Sequence, residues 1–372
     1  MKVSIGKSQL SLATMRSQGA ISERSLAQIG LKAEDSKLHI SIADRVLVIY
    51  CRIDCSVISE GETFVPARLF SDVVRQLPDG PVTLEHSGSF LVITAGERSE
   101  FEMKLPRIES KVWRIPPEIN SINSAELPSE QVSYMIDQVQ FCVAHESPRN
   151  YGSVGFLHKP EKNMLRLVGT DGYRLSYSEM GGDMPEGFLE NGVCLSKRAL
   201  SEMQRMCSEG FETIKISISD DRTTLLTEVP DYQIFVRLSA TKYPNYQGVL
   251  PKKKLTPVTI SKPYFQSVTK RVLLASDKTR ALQLCFSDSS LTLKSRTVGS
   301  SESQESITLS SYQEGDRELA INGKFLSDVF STINSEEVTL SFQSENDPVV
   351  LVPNTEPSLC QSMHVLVPIR ES

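Results

Sequence analysis

The amino-acid sequence predicts an α+β fold made of three tandem copies of one domain, each a pair of helices on antiparallel sheet. Three observations carry this. Much of the chain alternates apolar and polar residues with period two, the pattern of strands that bury one face. Three helical segments of matching pattern recur at even spacing, and a second helix opens each unit that they define.

The strand pattern is clearest in Leu38-His39-Ile40-Ser41-Ile42, Val82-Thr83-Leu84, Leu91-Val92-Ile93 and Lys215-Ile216-Ser217-Ile218. It returns in Ile234-Phe235-Val236-Arg237-Leu238, Leu282-Gln283-Leu284-Cys285-Phe286 and Val338-Thr339-Leu340-Ser341-Phe342. Short spacing between such runs favours antiparallel pairing, because a parallel pair needs a long crossover. The aligned helices begin at Pro66, Ser196 and Asn322, which are 130 and then 126 residues apart. In each the third position is basic (Arg68, Arg198, Lys324), the sixth is Ser and the seventh is acidic (Asp72, Glu202, Asp328). The fifth and eighth are apolar, and an alternating strand follows each copy. The opening helices are expected over 7–20, 129–145 and 261–275. A period this long, far beyond a solenoid repeat, belongs to a whole domain. The expected domains are 1–125, 126–250 and 251–372; Pro116-Pro117 and Leu127-Pro128 flank the first boundary and Pro251-Lys252-Lys253-Lys254 marks the second.

At 372 residues the chain exceeds one ordinary core, and 39% apolar with 23% charged residues describes a globular, soluble protein. No apolar run approaches the roughly 18 residues of a membrane span. Met1-Lys2-Val3-Ser4-Ile5 lacks the apolar core of a signal peptide, so a cytoplasmic location is expected. The seven cysteines are odd in number and scattered, and most lie in apolar runs where a reduced thiol packs as a small hydrophobe. Cys51 and Cys55 are spaced as half a metal site, but no His or Cys cluster completes it, so neither metal nor cofactor is expected.

A net charge of −6 argues against a nucleic-acid partner until the charges are located. The repeated helices hold eleven basic residues against five acidic ones, a net of +6. The basic set is Lys7, Arg16, Arg68, Arg75, Lys197, Arg198, Arg205, Lys262, Lys270, Arg271 and Lys324. Positive helices on a negative body suit a protein whose helices face a polyanion, since counterion release rewards phosphate contacts without any reading of bases.

One further stretch stands out, Leu167-Val168-Gly169-Thr170-Asp171-Gly172-Tyr173-Arg174-Leu175. Asp171-Gly172 between two β-type runs predicts a tight hairpin with a type I′ turn, and Thr170, Tyr173 and Arg174 place a hydroxyl, a ring and a fork of donors around it. The chain's closing Val367-Pro368-Ile369-Arg370 is a second marker. Together these motifs resemble the bacterial sliding clamps, the β subunits of replicative DNA polymerase, over essentially the whole chain, including Val65-Pro66-Ala67-Arg68 and Tyr243-Pro244-Asn245-Tyr246. The resemblance implies the DNA clamp fold and a head-to-tail dimer whose six domains form a ring around duplex DNA, helices inside. Its implied partners are duplex DNA without sequence preference, the replicative polymerase, an ATP-driven clamp loader and other proteins with a clamp-binding peptide.

The site residues follow from the same resemblance. Thr170, Gly172, Tyr173, Arg174 and Leu175 match the hairpin side of a groove for a short apolar peptide, and Pro244 and Val249 match the segment leading into the third domain. Asn322 and Phe325 match the start of the third repeated helix, and Val349, Val365, Leu366, Val367, Pro368, Ile369 and Arg370 match the C-terminal strands. Phe101, Leu273 and Leu274 match the subunit interface. His145, Arg149 and Tyr151 match a DNA-contacting loop, although Gly152-Ser153-Val154 replaces the family's Leu-Asn-Gly there and Glu371-Ser372 extends the usual end.

No phosphate-binding glycine loop, nucleophile elbow or His-Glu-x-x-His is present, and His39, His86, His145, His158 and His364 are dispersed. The sequence therefore predicts no enzyme, although His158 and Asp171 across the hairpin imitate a catalytic pair. The competing reading is a β-rich peptide-binding scaffold that never encircles DNA.

Overall fold

The helical pattern folds as six helices among the described residues: α1 (Lys7–Ser17), α2 (Ala67–Gln76), α3 (Ser129–Val139), α4 (Lys197–Cys207), α5 (Lys262–Val272) and α6 (Gly323–Thr332). The structure is a computed structural model that describes residues 1–21, 27–97, 100–109, 123–251, 255–309, 312, 315–354 and 360–369. The Pro116-Pro117 and Lys252-Lys253-Lys254 markers, Arg370 and the Glu371-Ser372 extension lie outside the described residues.

Each aligned segment starts one residue before its helix because its first position precedes the first helical turn. Asn322 Oδ1 accepts from the N–H groups of Lys324 and Phe325 at 2.9 and 3.3 Å, and Ser196 Oγ accepts from Ala199 N–H at 3.2 Å. The opening helices α1, α3 and α5 each tighten into one 3₁₀ turn, Gln18–Ala20, Gln140–Cys142 and Leu273–Ala275. In the middle copy, helix stops short of the expected His145. Val139 leaves helical geometry at φ −123°, and Ala144 N–H bonds to Gly152 O at 2.8 Å, closing a loop instead of a further turn.

The chain folds as two compact units, Met1–Glu130 with Ser201–Leu238, and Gln131–Leu200 with Ser239–Ser372. The middle repeat is thus divided, half to each unit. In the first unit, strands Ser56–Ser59, Lys2–Gly6, Pro81–Ser87, Phe90–Ala95 and Phe101–Pro106 form a five-stranded sheet in that order. Beside it is an eight-stranded sheet ordered Asn123–Pro128, Thr213–Ile218, Thr224–Val229, Tyr232–Arg237, Leu47–Asp54, Lys37–Ala43, Gln28–Glu34 and Gly61–Pro66. Its two halves meet where Ile234 lies opposite Ile49.

The second unit repeats the plan. Its eight-stranded sheet runs Val193–Ser196, Val154–His158, Met164–Thr170, Arg174–Gly181, Gln361–Leu366, Val349–Pro353, Glu337–Phe342 and Thr256–Ser261. A four-stranded sheet runs Ser301–Thr308, Ser290–Thr297, Ala281–Ser287 and Arg317–Asn322. All the pairings are antiparallel, as the alternation predicts. Helices α5 and α6 bury Phe265, Val268, Leu326 and Phe330 in one core with Leu284, Phe286, Leu340 and Phe342. Phe265 and Phe330 meet edge to face at 5.1 Å, and each buried phenyl contributes about 1.5–3 kcal/mol through burial. The second unit's sheet order places the 170–174 hairpin beside the C-terminal strand.

All seven cysteines are free thiols. Among the described residues no group of three or more His, Cys, Asp and Glu could hold a metal ion, and no helix is long and apolar enough to cross a membrane.

Candidate functional site

The hairpin is present, but its turn is not type I′. That geometry needs positive φ at both central residues, and only Gly172, at +91°, has it. Thr170 pairs with Leu175, leaving four residues in the connection. Their backbone is held by side chains: Asp171 Oδ1 accepts from Tyr173 and Arg174 N–H at 3.0 and 3.1 Å, while Thr170 Oγ1 accepts from Gly172 N–H and donates to Arg174 O. Gly172 is also a point of close approach, since a Cβ there would lie 1.8 Å from Arg149 Nη1. Arg149 in turn covers the Tyr173 ring at 5.4 Å.

Arg174 is mostly withdrawn from solvent and fully engaged. It donates to Asp171 Oδ2 at 2.9 Å, Asp328 Oδ2 at 2.6 Å and Phe141 O at 3.0 Å, and lies 4.4 Å over the Phe325 ring. Asp328 is the repeated acid of α6, so this arginine ties the hairpin to the middle of the third copy's helix. The imitation of a catalytic pair dissolves: Asp171 is committed to Arg174, and His158 Nε2 is hydrogen-bonded to Tyr246 Oη at 2.9 Å.

The other groove residues divide by sheet face. Leu175 and Val365 stand opposite each other and are buried with Val168, Val350 and Tyr246, forming an apolar floor. Val349 and Leu366 point to the opposite face, into the core under α5 and α6. Tyr173, Val249 and Val367 are 59%, 44% and 41% exposed, and Val367 N–H bonds to Tyr173 O at 3.0 Å. Pro244, Pro368 and Ile369 are half-buried, and Ile369 N–H bonds to Ala320 O at 2.7 Å. Thr170 is buried as a turn-former, and Asn322 caps α6. Arg370 lies outside the described residues.

The cations of the helices do not form one free set. Arg16 is only 7% exposed; it pairs with Glu209 at 2.5 Å and stacks on Tyr232 at 4.8 Å, which removes it from any phosphate. Arg205 is held by the buried Glu202 at 2.7 Å, Arg271 by Glu305 at 2.5 Å and Lys7 by Asp79 at 2.9 Å. Arg75 has a loose partner in Asp72 at 3.7 Å. Lys197 and Arg198 are half-buried; burial and then Arg174 hold the Lys197 ammonium below its ordinary value. Lys262 is half-buried, whereas Arg68, Lys270 and Lys324 are exposed, as are His145 and Arg149, with Tyr151 half-buried. Charge counting overestimated the free cations because it could not see Glu209, Glu305 and Asp79 reaching Arg16, Arg271 and Lys7 from other elements.

Of the interface residues, Leu274 is 85% exposed and Phe101 lies on a sheet-edge strand. Leu273 is half-buried and packs partly against the third-copy core, and a Cβ at Gly323 would meet its Cδ2 at 2.5 Å. Sequence reasoning missed Tyr243, Tyr246 and Arg166, which pack or bond on the floor's face; the paired tyrosines around Pro244 were the available signal.

Two buried histidines make the second unit acid-sensitive. Burial pushes His364 down to about 3, and burial with Arg166 pushes His158 down to about 4. His364 Nδ1 lies 2.9 Å from Ser176 Oγ, which also meets the Cys142 thiol at 3.2 Å. Unfolding lets each imidazole take up a proton near its ordinary 6.5. Stability is therefore complete above that pH and falls below it, by about 1.4 kcal/mol per pH unit for each histidine until the folded value is reached. A urea midpoint that drops between pH 7 and pH 5 is the expected result, and an unchanged midpoint would contradict it.

Three family models match the chain in order: the DNA polymerase III beta subunit N-terminal domain over residues 1–109, its central domain over 126–245 and its C-terminal domain over 247–370. The beta sliding clamp of Proteus mirabilis is 26% identical over 354 residues, covering 93% of this chain and 92% of that protein. That of Caulobacter vibrioides NA1000 is 25% identical over 382 residues, with 100% of both covered. A Pseudomonas aeruginosa sliding clamp solved with bound griselimycin superposes with a TM-score of 0.91 at 21% identity, 100% of both chains covered.

Proposed function

The chain belongs to the bacterial DNA polymerase III β-subunit family of DNA sliding clamps, and from that premise we propose that it encircles duplex DNA as a head-to-tail dimer and tethers the replicative polymerase. The observation that carries this is the succession of all three clamp domains along one chain. The peptide scaffold that never encircles DNA is not favoured by it. We place the domain boundaries near residues 125 and 250.

In a closed ring, retention is topological. Contacts with DNA then need only be weak and blind to sequence, so the ring slides. Each helix cation that neutralises a phosphate steepens the logarithmic salt dependence by about 0.9. Arg68, Lys270 and Lys324 are the exposed candidates for this role, together with Arg75, His145, Arg149 and Tyr151. For ring closure, exposed Leu274 and the Phe101 edge strand offer apolar surface and unpaired backbone to a second copy.

The peptide groove is assigned to the floor of Leu175 and Val365 with Tyr173, Val249 and Val367 at its margin, where an extended peptide would lay hydrophobic anchors. No step needs a catalytic residue; loading is the work of an ATP-driven partner.

Loading on nicked circular DNA tests the reading. The expected result is protein that stays on the circle in high salt and is lost when the DNA is cut, with Arg68→Glu, Lys270→Glu and Lys324→Glu together shortening retention at low salt. Equal retention on circular and linear DNA would show ordinary surface binding.

A further inference from the structure

Residues 239–251 carry two groove residues, Pro244 and Val249, yet have little regular structure. Their backbone–backbone bonds among the described residues are Ser239 N–H to Cys194 O at the start and Val249 N–H to Tyr246 O within a 3₁₀ turn, both 3.0 Å. Such a segment takes its position from side chains. Tyr243 stacks on Phe156, with centroids 4.9 Å apart and planes at 12°, and its hydroxyl donates to Val168 O at 3.3 Å. Tyr246 is buried edge-on to His158, its hydroxyl 3.0 Å from Arg166 Nη1 and 2.9 Å from His158 Nε2.

The direction of these bonds follows from chemistry. Arginine can only donate, so the Tyr246 oxygen accepts from Arg166 and its proton is directed to a bare His158 Nε2. A bare nitrogen agrees with the low proton affinity that burial and Arg166 impose on His158. Arg166 is itself braced: Glu179, opposite it on the next strand, accepts from Nε at 2.7 Å and pairs with Nη2 at 2.5 Å, and the guanidinium lies 4.4 Å over Tyr177. The outcome is a relay, Glu179 to Arg166 to Tyr246 to His158, in which the Tyr246 ring also packs into the floor.

We propose that this relay is a positioning device for the peptide site: it fastens the 243–250 segment to the sheet face, so that Val249 and Pro244 stand at fixed places beside the floor. The proposal rests on the groove reading above. Val249 is three residues from Tyr246 and its N–H is bonded to Tyr246 O, so displacement of one carries the other. The half-exposed Val249 makes no other backbone bond among the described residues that would hold it.

The test uses the full-length protein and a fluorescein-labelled polymerase peptide read by anisotropy. Tyr246→Phe keeps the ring and removes the hydroxyl; it is expected to weaken the peptide about fivefold to tenfold, as one lost network bond does, with retention on circular DNA unchanged. In a Val249→Ala background the same change is expected to add less than about twofold, because the group it misplaces is already gone. His158→Gln, whose carbonyl can accept the same proton, is expected to bind within about twofold of wild type, and His158→Leu to follow Tyr246→Phe. Wild-type affinity in Tyr246→Phe, or an equal loss with and without Val249, overturns the relay. If wild type itself fails to bind the peptide, the groove reading falls and the relay with it, an outcome distinct from wild type and Tyr246→Phe binding alike.

Discussion

Glu209→Ala is expected to destabilise the first unit by about 3–5 kcal/mol, the cost of leaving one partner of a buried ion pair alone. Arg16 and Glu209 side chains are 8% and 12% exposed, and the carboxylate takes the guanidinium at 2.5, 2.9 and 3.1 Å. Removing the acid leaves a mostly buried charge with Tyr232 on one face and no carboxylate to pair with. The measurement is urea unfolding of the whole protein, followed as the earliest transition because a chain of this size need not unfold in one step. Arg16→Met with Glu209→Leu should recover most of the loss, since apolar groups of similar size can replace a buried pair. The variant also separates two roles for Arg16. A DNA-facing Arg16 freed from Glu209 would strengthen DNA binding at low salt, whereas a structural one leaves it unchanged, and the latter is expected.

Truncation after Leu366 should weaken polymerase-peptide binding about thirtyfold or more while leaving the sheets intact, a loss of about 2 kcal/mol that is typical of a central anchor. Leu366 completes its strand and is buried in the core, so the cut falls beyond the last strand of the sheet. Val367 and Ile369 are different. Their N–H groups hold the terminal segment to Tyr173 O and Ala320 O, and Val367 remains 41% exposed beside Tyr173. Anisotropy with the labelled peptide reads the affinity, and sedimentation reads the dimer. Unaltered binding after truncation would remove the C-terminal segment from the groove.

The repeated helix shows how far sequence reading reaches. Its seventh position is acidic in all three copies, and the three acids do three different jobs. Asp72 pairs loosely with Arg75 on the same helix, Glu202 is buried against Arg205, and Asp328 takes Arg174 from the hairpin. Alignment finds the position because helical register is local; it could not find Asp328's partner, because Arg174 comes from another element. The hairpin is a parallel case. Asp171-Gly172 correctly marked a turn, but its class depended on Thr170 and Arg174 closing hydrogen bonds across it.

The sequence by itself determined the strands, the helix starts, the tripled helix-and-sheet order and the family, because alternation, caps and motifs act through neighbours along the chain. Only the tertiary structure decided that the middle repeat is shared between two eight-stranded sheets, that Val349 and Leu366 face one core while Leu175 and Val365 face the other side of the sheet, and that Arg16 is buried with Glu209. Strand pairing and ion pairing join residues far apart in the chain. Which of several chemically equivalent partners is chosen depends on the packing that brings them together.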